Sequence, residues 1–135
     1  MKNKYFIFLF LTTLMSCSNP GVCPVELNYD LADKFTTLDE EPYTGRCSVL
    51  NEDGSIRSIQ QYLNGYDYGK WTFYYSNGNI ETKGKFINGK RTGTWRYFHS
   101  NGKLKQISKY SKDGERKGKW SVYDTLGELI ETIRY

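Results

Sequence analysis

The feature that most constrains the fold of this chain is an internal repeat of about two dozen residues. A glycine stands two residues before each tryptophan, at Gly69, Gly93 and Gly118, and Gly45 takes the same place ahead of Cys47. Successive glycines of this set lie 24, 24 and 25 residues apart. Repeats of this length are typical of chains that stack one small structural unit several times. The spacing therefore predicts four consecutive units.

The first three units also contain Asn-Gly or Asp-Gly steps between runs of aromatic and β-branched residues, and the fourth has Leu-Gly at one of these places. Such steps are the strongest short-range signal of a β-hairpin, because both central residues of a type I′ turn need positive φ. Each unit is therefore predicted to hold two strands and two turns. The steps are Asp53–Gly54, Asn64–Gly65, Asn77–Gly78, Asn88–Gly89, Asn101–Gly102 and Asp113–Gly114, with Leu126–Gly127 in the last unit.

Side-chain alternation along these strands predicts a sheet with one aromatic and one charged face. Because successive side chains of a strand point to opposite sides, Trp71 and Phe73 can share a face with Ile80 and Phe86. A lone hairpin of this kind is unstable, so neighbouring hairpins have to stack. The fold class is therefore predicted to be all-β, an elongated single-layer sheet of consecutive antiparallel hairpins. In the third unit the inward residues are predicted to be Trp95, Tyr97, Leu104 and Tyr110, and the outward ones Arg96, Lys105 and Lys109.

The stretch "GKWTFYYSNGNIETKGKFINGKRTGTWRYFHSNGKLKQISKY" resembles the MORN-repeat variant of YwqK-like bacterial proteins, which are often labelled antitoxins. "EEPYTGRC", residues 40–47, resembles the usual start of a first unit. The resemblance covers about residues 43–135, with units at about 43–67, 68–91, 92–116 and 117–135. It implies a MORN-like sheet and leaves function open, because such repeats serve as scaffolds in many settings. Cys47 in place of Trp and Leu126 in place of Asn depart from the pattern in the terminal units.

Residues 1–16 are predicted to be a cleaved secretory signal. "MKNK" is basic, "YFIFLFLTTLM" is apolar, and "LMSC" follows, an order typical of export signals. Leu14–Cys17 resembles the bacterial lipobox, which implies that Cys17 is lipidated and becomes the first residue of the mature chain. Two or three acyl chains hold a protein durably to a membrane. The predicted location is the cell envelope, and the outer membrane facing the periplasm if the cell has two membranes.

Residues 17–42 are predicted to be a tether followed by a cap. "SNPGVCP" is rich in turn formers, and the following residues are expected to form a brief strand or a turn of helix that covers the first sheet edge. Cys23 and Cys47 either pair as a disulfide, as exported thiols can, or are unrelated. The sequence leaves both readings open.

The formal charge of +4 is unevenly distributed along the chain. Residues 17–68 carry nine acidic and three basic side chains, and residues 69–135 carry six acidic and fourteen basic ones. The basic half either binds an anionic surface or solvates the outer face of a thin sheet. Nucleic acid is not an expected partner, because the signal exports the chain.

Residues that could support catalysis are scarce, so the chain is predicted not to be an enzyme. His99 is its only histidine and follows a predicted strand, beside a turn. No nucleophile elbow or phosphate-binding loop occurs, and no cysteine and histidine spacing indicates a metal site. No cofactor is expected.

Three binding roles remain open. The sheet either binds another envelope protein through its face or edges, binds wall glycan or lipid headgroups through aromatic and basic side chains, or serves as a structural spacer. The antitoxin label of similar proteins adds an immunity role against a toxin that acts in the envelope. The candidate binding-face residues are Tyr74, Phe98, Tyr123, Lys85, Lys105 and Lys109.

Overall fold

The computed structural model describes residues 20–135. The predicted signal peptide and lipid-attachment residue Cys17 lie outside the described residues. All regular elements of the described chain are strands, so the all-β prediction is confirmed. The strands are β1 (Asn28–Asp30), β2 (Phe35–Leu38), β3 (Glu41–Pro42), β4 (Gly45–Leu50), β5 (Ile56–Leu63), β6 (Tyr66–Asp67), β7 (Gly69–Tyr74), β8 (Ile80–Ile87), β9 (Lys90–Phe98), β10 (Leu104–Tyr110), β11 (Lys119–Tyr123) and β12 (Leu129–Arg134).

The main sheet follows the chain from one hairpin to the next. Its order is β12-β11-β10-β9-β8-β7-β5-β4, with β6 paired to β5, and every neighbouring pair is antiparallel. From β7 to β12 each strand pairs with the next one along the chain, and the short β6 lies between β5 and β7, which pair with each other. The meander of hairpins is thus confirmed.

The glycine turns are of two kinds, whereas the Asn-Gly and Asp-Gly steps by themselves predict one kind. Asn64 and Gly65 both have positive φ, 49° and 80°, and Asn88 and Gly89 have 48° and 72°, as a type I′ turn requires. At the other end of the hairpins only the glycine is left-handed, for example Gly78 at 83°. Those connections are longer, closed by a bond from the Gly78 amide to the Tyr75 carbonyl (2.9 Å). The prediction of a type I′ turn at every step was wrong.

A register shift recurs near one end of each hairpin and moves one apolar column to the other face. Phe73 pairs with Thr82, but the next residue, Tyr74, pairs with Ile80. The same shift sets Leu104 opposite Phe98. Directly opposed side chains share a face, so the extra residue of this β-bulge places Ile80 and Leu104 on the charged side. The prediction that both point inward with the tryptophans was wrong.

The glycine before each tryptophan has a backbone role. Gly69, Gly93 and Gly118 have φ values of 67°, 68° and 66°, which residues with a side chain rarely adopt. The pairing of β8 with β9 shifts beside Gly93, between Lys83 and Lys85. At Gly93 the positive φ thus accompanies a second irregularity of the sheet, two residues before Trp95.

The core is a row of aromatic rings on one face of the sheet, called here the aromatic face. Ring centroids lie 5.4 Å apart for Tyr62 and Trp71, 5.0 Å for Trp71 and Phe86, and 5.0 Å for Phe86 and Trp95. These edge-to-face arrangements add to the free energy gained by burying the rings. The indole Nε1 of Trp71 donates to the carbonyl of Gln61 (2.8 Å), which satisfies its polar group in the core. The other tryptophans bond to Lys85 and Lys109 in the same way.

The segment before the repeats divides into two parts. Strands β1 to β3 form a small antiparallel sheet, called the cap. The cap contacts the first type I′ turn through a hydrogen bond from the Thr36 amide to the Gly65 carbonyl (2.7 Å). Residues 21–23 run along the outer edge of β4, where the Cys23 amide bonds to the Ser48 carbonyl (2.9 Å) and the Ser48 amide to that of Gly21 (2.8 Å). The edge cover predicted for the later residues is thus made by this shorter segment.

Candidate binding surfaces

The three aromatic residues predicted for a binding face lie in one row. Tyr74, Phe98 and Tyr123 are half-buried, and strand alternation puts Tyr74 on the side away from Trp71. Each lies opposite an apolar residue across the register shift, as Phe98 does with Leu104. The sheet therefore carries a second apolar row, on the face called here the charged face.

The predicted lysines are exposed on this charged face. Lys85 lies directly opposite Lys70 in the β7–β8 pair, and Lys83 lies opposite Arg96 in the β8–β9 pair. Like charges in directly opposed positions destabilise a sheet. The Lys83 ammonium lies 5.3 Å from the centre of the Phe98 ring, a favourable cation–π distance.

Lys105 and Lys109 lie further along the charged face. Lys105 and Phe98 line a small cavity of about 150 Å³, so the structure brings these two predicted residues together. Lys109 pairs with Thr94 in the β9–β10 pair. The six predicted residues form an extended surface with no single centre.

The hairpin ends that contain Gly54, Gly78, Gly102 and Gly127 are called the tips, and side-chain hydrogen bonds join the last three of them. Asn77 donates from Nδ2 to the Ser100 carbonyl (2.8 Å), and Asn101 donates to the Thr125 carbonyl (2.9 Å). His99 Nε2 lies 3.0 Å from the Tyr123 carbonyl. These contacts explain why asparagine recurs at this position of the repeat. They also show that His99 contacts the neighbouring tip.

The first tip departs from this pattern, because it has Asp53 where the next two have asparagine. The Asp53 carboxylate accepts the Ser55 amide (2.9 Å), and its bonds with Ser55 hold the pKa of Asp53 below its usual value. A carboxylate has no proton to donate to the next tip. A cleft of about 1020 Å³ separates the two tips, lined by Asp53, Arg57, Tyr74 and Glu81 among others.

A buried carboxylate lies at the opposite end of the hairpins. Asp67 is 7% exposed, and its Oδ1 has no hydrogen-bond partner among the described residues. Burial raises the pKa of Asp67 to about 6, although Lys34 partly opposes this shift. Asp67 lines a cavity of about 440 Å³ together with Tyr29, Phe86 and Tyr110.

Cys23 and Cys47 are joined by a disulfide, with their Cα atoms 4.7 Å apart. The bond fixes the segment that covers β4, because Cys23 belongs to that segment and Cys47 to β4. Cys47 is 2% exposed and packs with Tyr62 and Trp71. The disulfide therefore takes the place in the first unit that a tryptophan fills in the others.

The two outer edges of the main sheet differ. The edge of β4 pairs with residues 21–23, whereas β12 pairs only with β11 among the strands of the described chain. Near the β12 edge, Leu126, Leu129 and Ile130 are 69%, 54% and 65% exposed. The chain thus presents one closed and one open edge.

Two features are absent from residues 20–135. The structure has no helix there that is long and apolar enough to cross a membrane. The same residues contain no group of three or more His, Cys, Asp or Glu side chains that could hold a metal ion.

Sequence reasoning missed Asp53 and Asp67 as site residues. Both are visible in the repeat columns as acids where later units have other residues: Asn77 in one case and Arg91 in the other. Departures of this kind from an otherwise regular pattern are expected at special sites. The burial of Asp67 and the cavities beside both residues depend on the cap and the tips, which the columns alone do not position.

Comparison with known proteins supports the repeat assignment. The MORN repeat variant family matches residues 67–88 and 91–112. Among curated proteins none matches the chain in sequence. A solved structure described as "Crystal structure of GtfA/B complex bound to UDP and GlcNAc" aligns at 14% identity and a TM-score of 0.37, over 87% of this chain and 32% of that one. The chain thus spans about a third of the length of that protein.

Proposed function

We propose that this chain, whose sheet contains repeats of the MORN variant family, is a lipid-anchored, non-catalytic module of the cell envelope that binds an extended segment of another envelope protein. The lipobox-like Leu14–Cys17 supports the anchor. The matched family supports a repeat-based binding module. The partner and the location are parts of this proposal, as is the narrower YwqK-like resemblance.

The difference between the two sheet edges is the observation that carries the proposal. A strand edge with free backbone groups is a template for pairing with another chain. The disulfide-bonded segment at 21–23 covers the β4 edge, whereas the β12 edge has exposed apolar side chains at Leu129 and Ile130. A partner that adds one strand there would gain backbone hydrogen bonds and apolar contacts together.

The register of β12 shows which backbone groups are free for such a partner. Tyr135 and Gly118 exchange both of their backbone bonds at 3.1 Å. Because bonding alternates along an antiparallel strand, Ile133 bonds inward to β11, and the amides of Thr132 and Arg134 point away from β11. A partner strand would therefore bond at Thr132 and Arg134.

Capture from detergent-solubilised envelope tests this proposal. The bait is the chain from Ser18 with an affinity tag before it, so that the β12 edge is free. Thr132→Pro removes one outward donor at a position where edge strands tolerate proline, and Ile130→Lys adds a charge at the edge. Leu31→Lys is the matched control, because Leu31 is 83% exposed on the cap.

The expected result is a specific protein that the unaltered bait and the Leu31→Lys bait retain and the two edge variants lose. Capture of the same proteins by all four baits would contradict an edge-binding role. Recovery of lipid alone would contradict it as well. Thermal unfolding of each variant checks that the sheet is intact.

A specific observation supports a second candidate function, the binding of an anionic surface by the charged face. Two directly opposed cation pairs, Lys70 with Lys85 and Lys83 with Arg96, lie on this face. Their repulsion would be relieved by bound phosphate or carboxylate groups. Anionic lipid headgroups and wall polymers both offer such groups.

Flotation with vesicles distinguishes this second function. The chain from Ser18 should float with phosphatidylglycerol vesicles and not with phosphatidylcholine vesicles, and raised salt should release it. Lys85→Gln/Lys109→Gln should weaken binding, whereas Lys112→Gln/Lys117→Gln, with the same change in charge, should have a smaller effect. Equal loss in both double variants would indicate a response to net charge alone and would contradict a specific surface.

A further inference from the structure

The repeat places an acid at the one position where the next two units carry arginine. Asp67 lies 24 residues before Arg91, which lies 25 residues before Arg116. The guanidinium of Arg91 lies 4.6 Å from the Trp95 ring centre, and that of Arg116 lies 5.3 Å from Trp120. The first unit thus offers a carboxylate where its neighbours hold their own cation.

One carboxylate oxygen of Asp67 lacks a hydrogen-bond donor among residues 20–135. Its Oδ1 is buried without a hydrogen bond, and the side chain is 7% exposed. A buried carboxylate in that state is costly for the fold unless a donor reaches it. A hydrogen-bond donor at this position, and above all a positively charged one, would therefore stabilise the Asp67 carboxylate.

The cavity beside Asp67 has aromatic and cationic walls as well as acidic ones. Tyr29, Phe86 and Tyr110 supply aromatic surface. Lys34 and Lys90 supply cations, and they are exposed at the surface. Its volume of about 440 Å³ lies within the usual range for small-molecule sites.

We propose that this cavity binds a free amino acid with an apolar or aromatic side chain. The α-ammonium group would donate to Asp67, and the α-carboxylate would pair with Lys34 or Lys90. The side chain would pack against Phe86 and Tyr110. The ligand's ammonium would thereby supply the positive charge that Arg91 and Arg116 supply in the next two units.

The mixture of charges favours a zwitterion over a simple cation or a simple anion. An amine without a carboxylate would satisfy Asp67 and still meet the repulsion of the two lysines. An anion would pair with the lysines and leave the Asp67 carboxylate unpaired. Asp113 and Arg91 also line the cavity, and Arg91 is held by its contacts with Trp95 and with the Tyr97 hydroxyl (3.3 Å).

Isothermal titration of the chain from Ser18 with L-phenylalanine tests the proposal. Phenylalanine amide lacks the carboxylate and N-acetylphenylalanine lacks the ammonium. Saturable binding of phenylalanine, at least tenfold tighter than that of either derivative, is expected. Equal binding of phenylalanine and its amide would overturn the zwitterion assignment, and absence of binding to all three would overturn the site.

Matched variants locate the binding. Asp67→Asn should weaken phenylalanine binding at least tenfold, and Lys34→Gln/Lys90→Gln should weaken it without weakening binding of the amide. Asp33→Asn, an exposed acid of the cap, should bind as the unaltered chain does. Loss of binding in Asp33→Asn equal to that in Asp67→Asn would overturn the site. Thermal unfolding confirms that each variant is folded, and the lysine pair decides the question if Asp67→Asn is not.

Discussion

The indole ring of Trp95 occupies the space that a side chain on Gly84 would need. Gly84 lies in the middle of β8 and is not one of the glycines with a positive φ. Trp95 is 1% exposed and belongs to the core. Glycine at this position is therefore required by packing between neighbouring strands.

Gly84→Ala is expected to lower the free energy of unfolding by about 2 kcal/mol, the usual cost of overpacking a core. Gly21→Ala is the matched control, since nothing lies within 4 Å of the added methyl group. Urea denaturation measures both. The cost should shrink when Trp95 is also replaced by leucine. An equal cost in both backgrounds would show that the indole is not the cause.

The disulfide should stabilise the first unit and keep the β4 edge covered. Cys23 and Cys47 close a loop with a sequence separation of 24, for which chain entropy gives about 3 to 4 kcal/mol. The double variant Cys23→Ala/Cys47→Ala should have a free energy of unfolding that is lower by that amount, as measured by urea denaturation. Reductant should produce the same shift in the unaltered chain from Ser18 and none in the double variant. A double variant as stable as the oxidised chain would contradict this role.

Asp67 should make stability fall as pH rises through the weakly acidic range. Its pKa is raised from 3.8 to about 6 in the folded chain, so the folded state holds the proton more tightly. The resulting stability is fully present below about pH 4 and is lost as pH rises through 6. Lys34 is the basic group that most affects this carboxyl, and Tyr62 and Tyr29 are the titratable groups that it affects in turn.

Asp67→Asn should therefore stabilise the chain at pH 7 by on the order of 1 to 2 kcal/mol, allowing for solvent screening, and should flatten the slope between pH 4 and 6. Asp124→Asn should act in the opposite sense. Bonds from the backbone amides of Glu128 and Leu126 lower the pKa of Asp124. Urea denaturation across pH 4 to 7.5 measures both, and an unchanged slope in Asp67→Asn would contradict the assignment.

The tip bonds predict a position-specific effect of a conservative change. Asn101→Asp keeps the oxygen that accepts the Lys103 amide (3.0 Å) and removes the donor to Thr125. It should cost about 1 kcal/mol and speed amide hydrogen exchange in the last tip. Leu126→Asp changes the corresponding position of that last tip, where the column needs no such donor. Equal effects of the two changes would show that added charge is responsible.

The repeat columns predicted most of the fold, because glycine turns and alternating aromatic residues are local signals. The prediction from these columns failed where one extra residue in a strand moves a side chain to the other face of the sheet. Ile80 and Leu104 share the column spacing of core residues, yet the register shift places them opposite Tyr74 and Phe98. Alternation alone does not reveal a bulge, since one added residue reverses every side chain beyond it.

The candidate sites were harder to predict because they depend on contacts distant in sequence. Asp67 is an ordinary hydrophilic residue in the sequence, but in the fold it is buried close to the first type I′ turn, where Phe35 of the cap packs against Gly65. The pairing of Cys23 with Cys47 was left open for the same reason. The repeat spacing predicts the structure of the repeat units well, but it gives no information about segments that lie outside the repeats.

Cys17 carries the prediction on location, which rests on the sequence alone. Cys17→Ser removes the thiol that the lipobox-like Leu14–Cys17 would present for acylation, so the protein should move from the membrane fraction to the soluble fraction. Ser16→Ala is the control, because a small residue before the cysteine keeps the motif. Fractionation and immunoblotting measure the change, with palmitate labelling as an independent readout. Retention of Cys17→Ser in the membrane, or absence of label in the unaltered protein, would contradict the anchor.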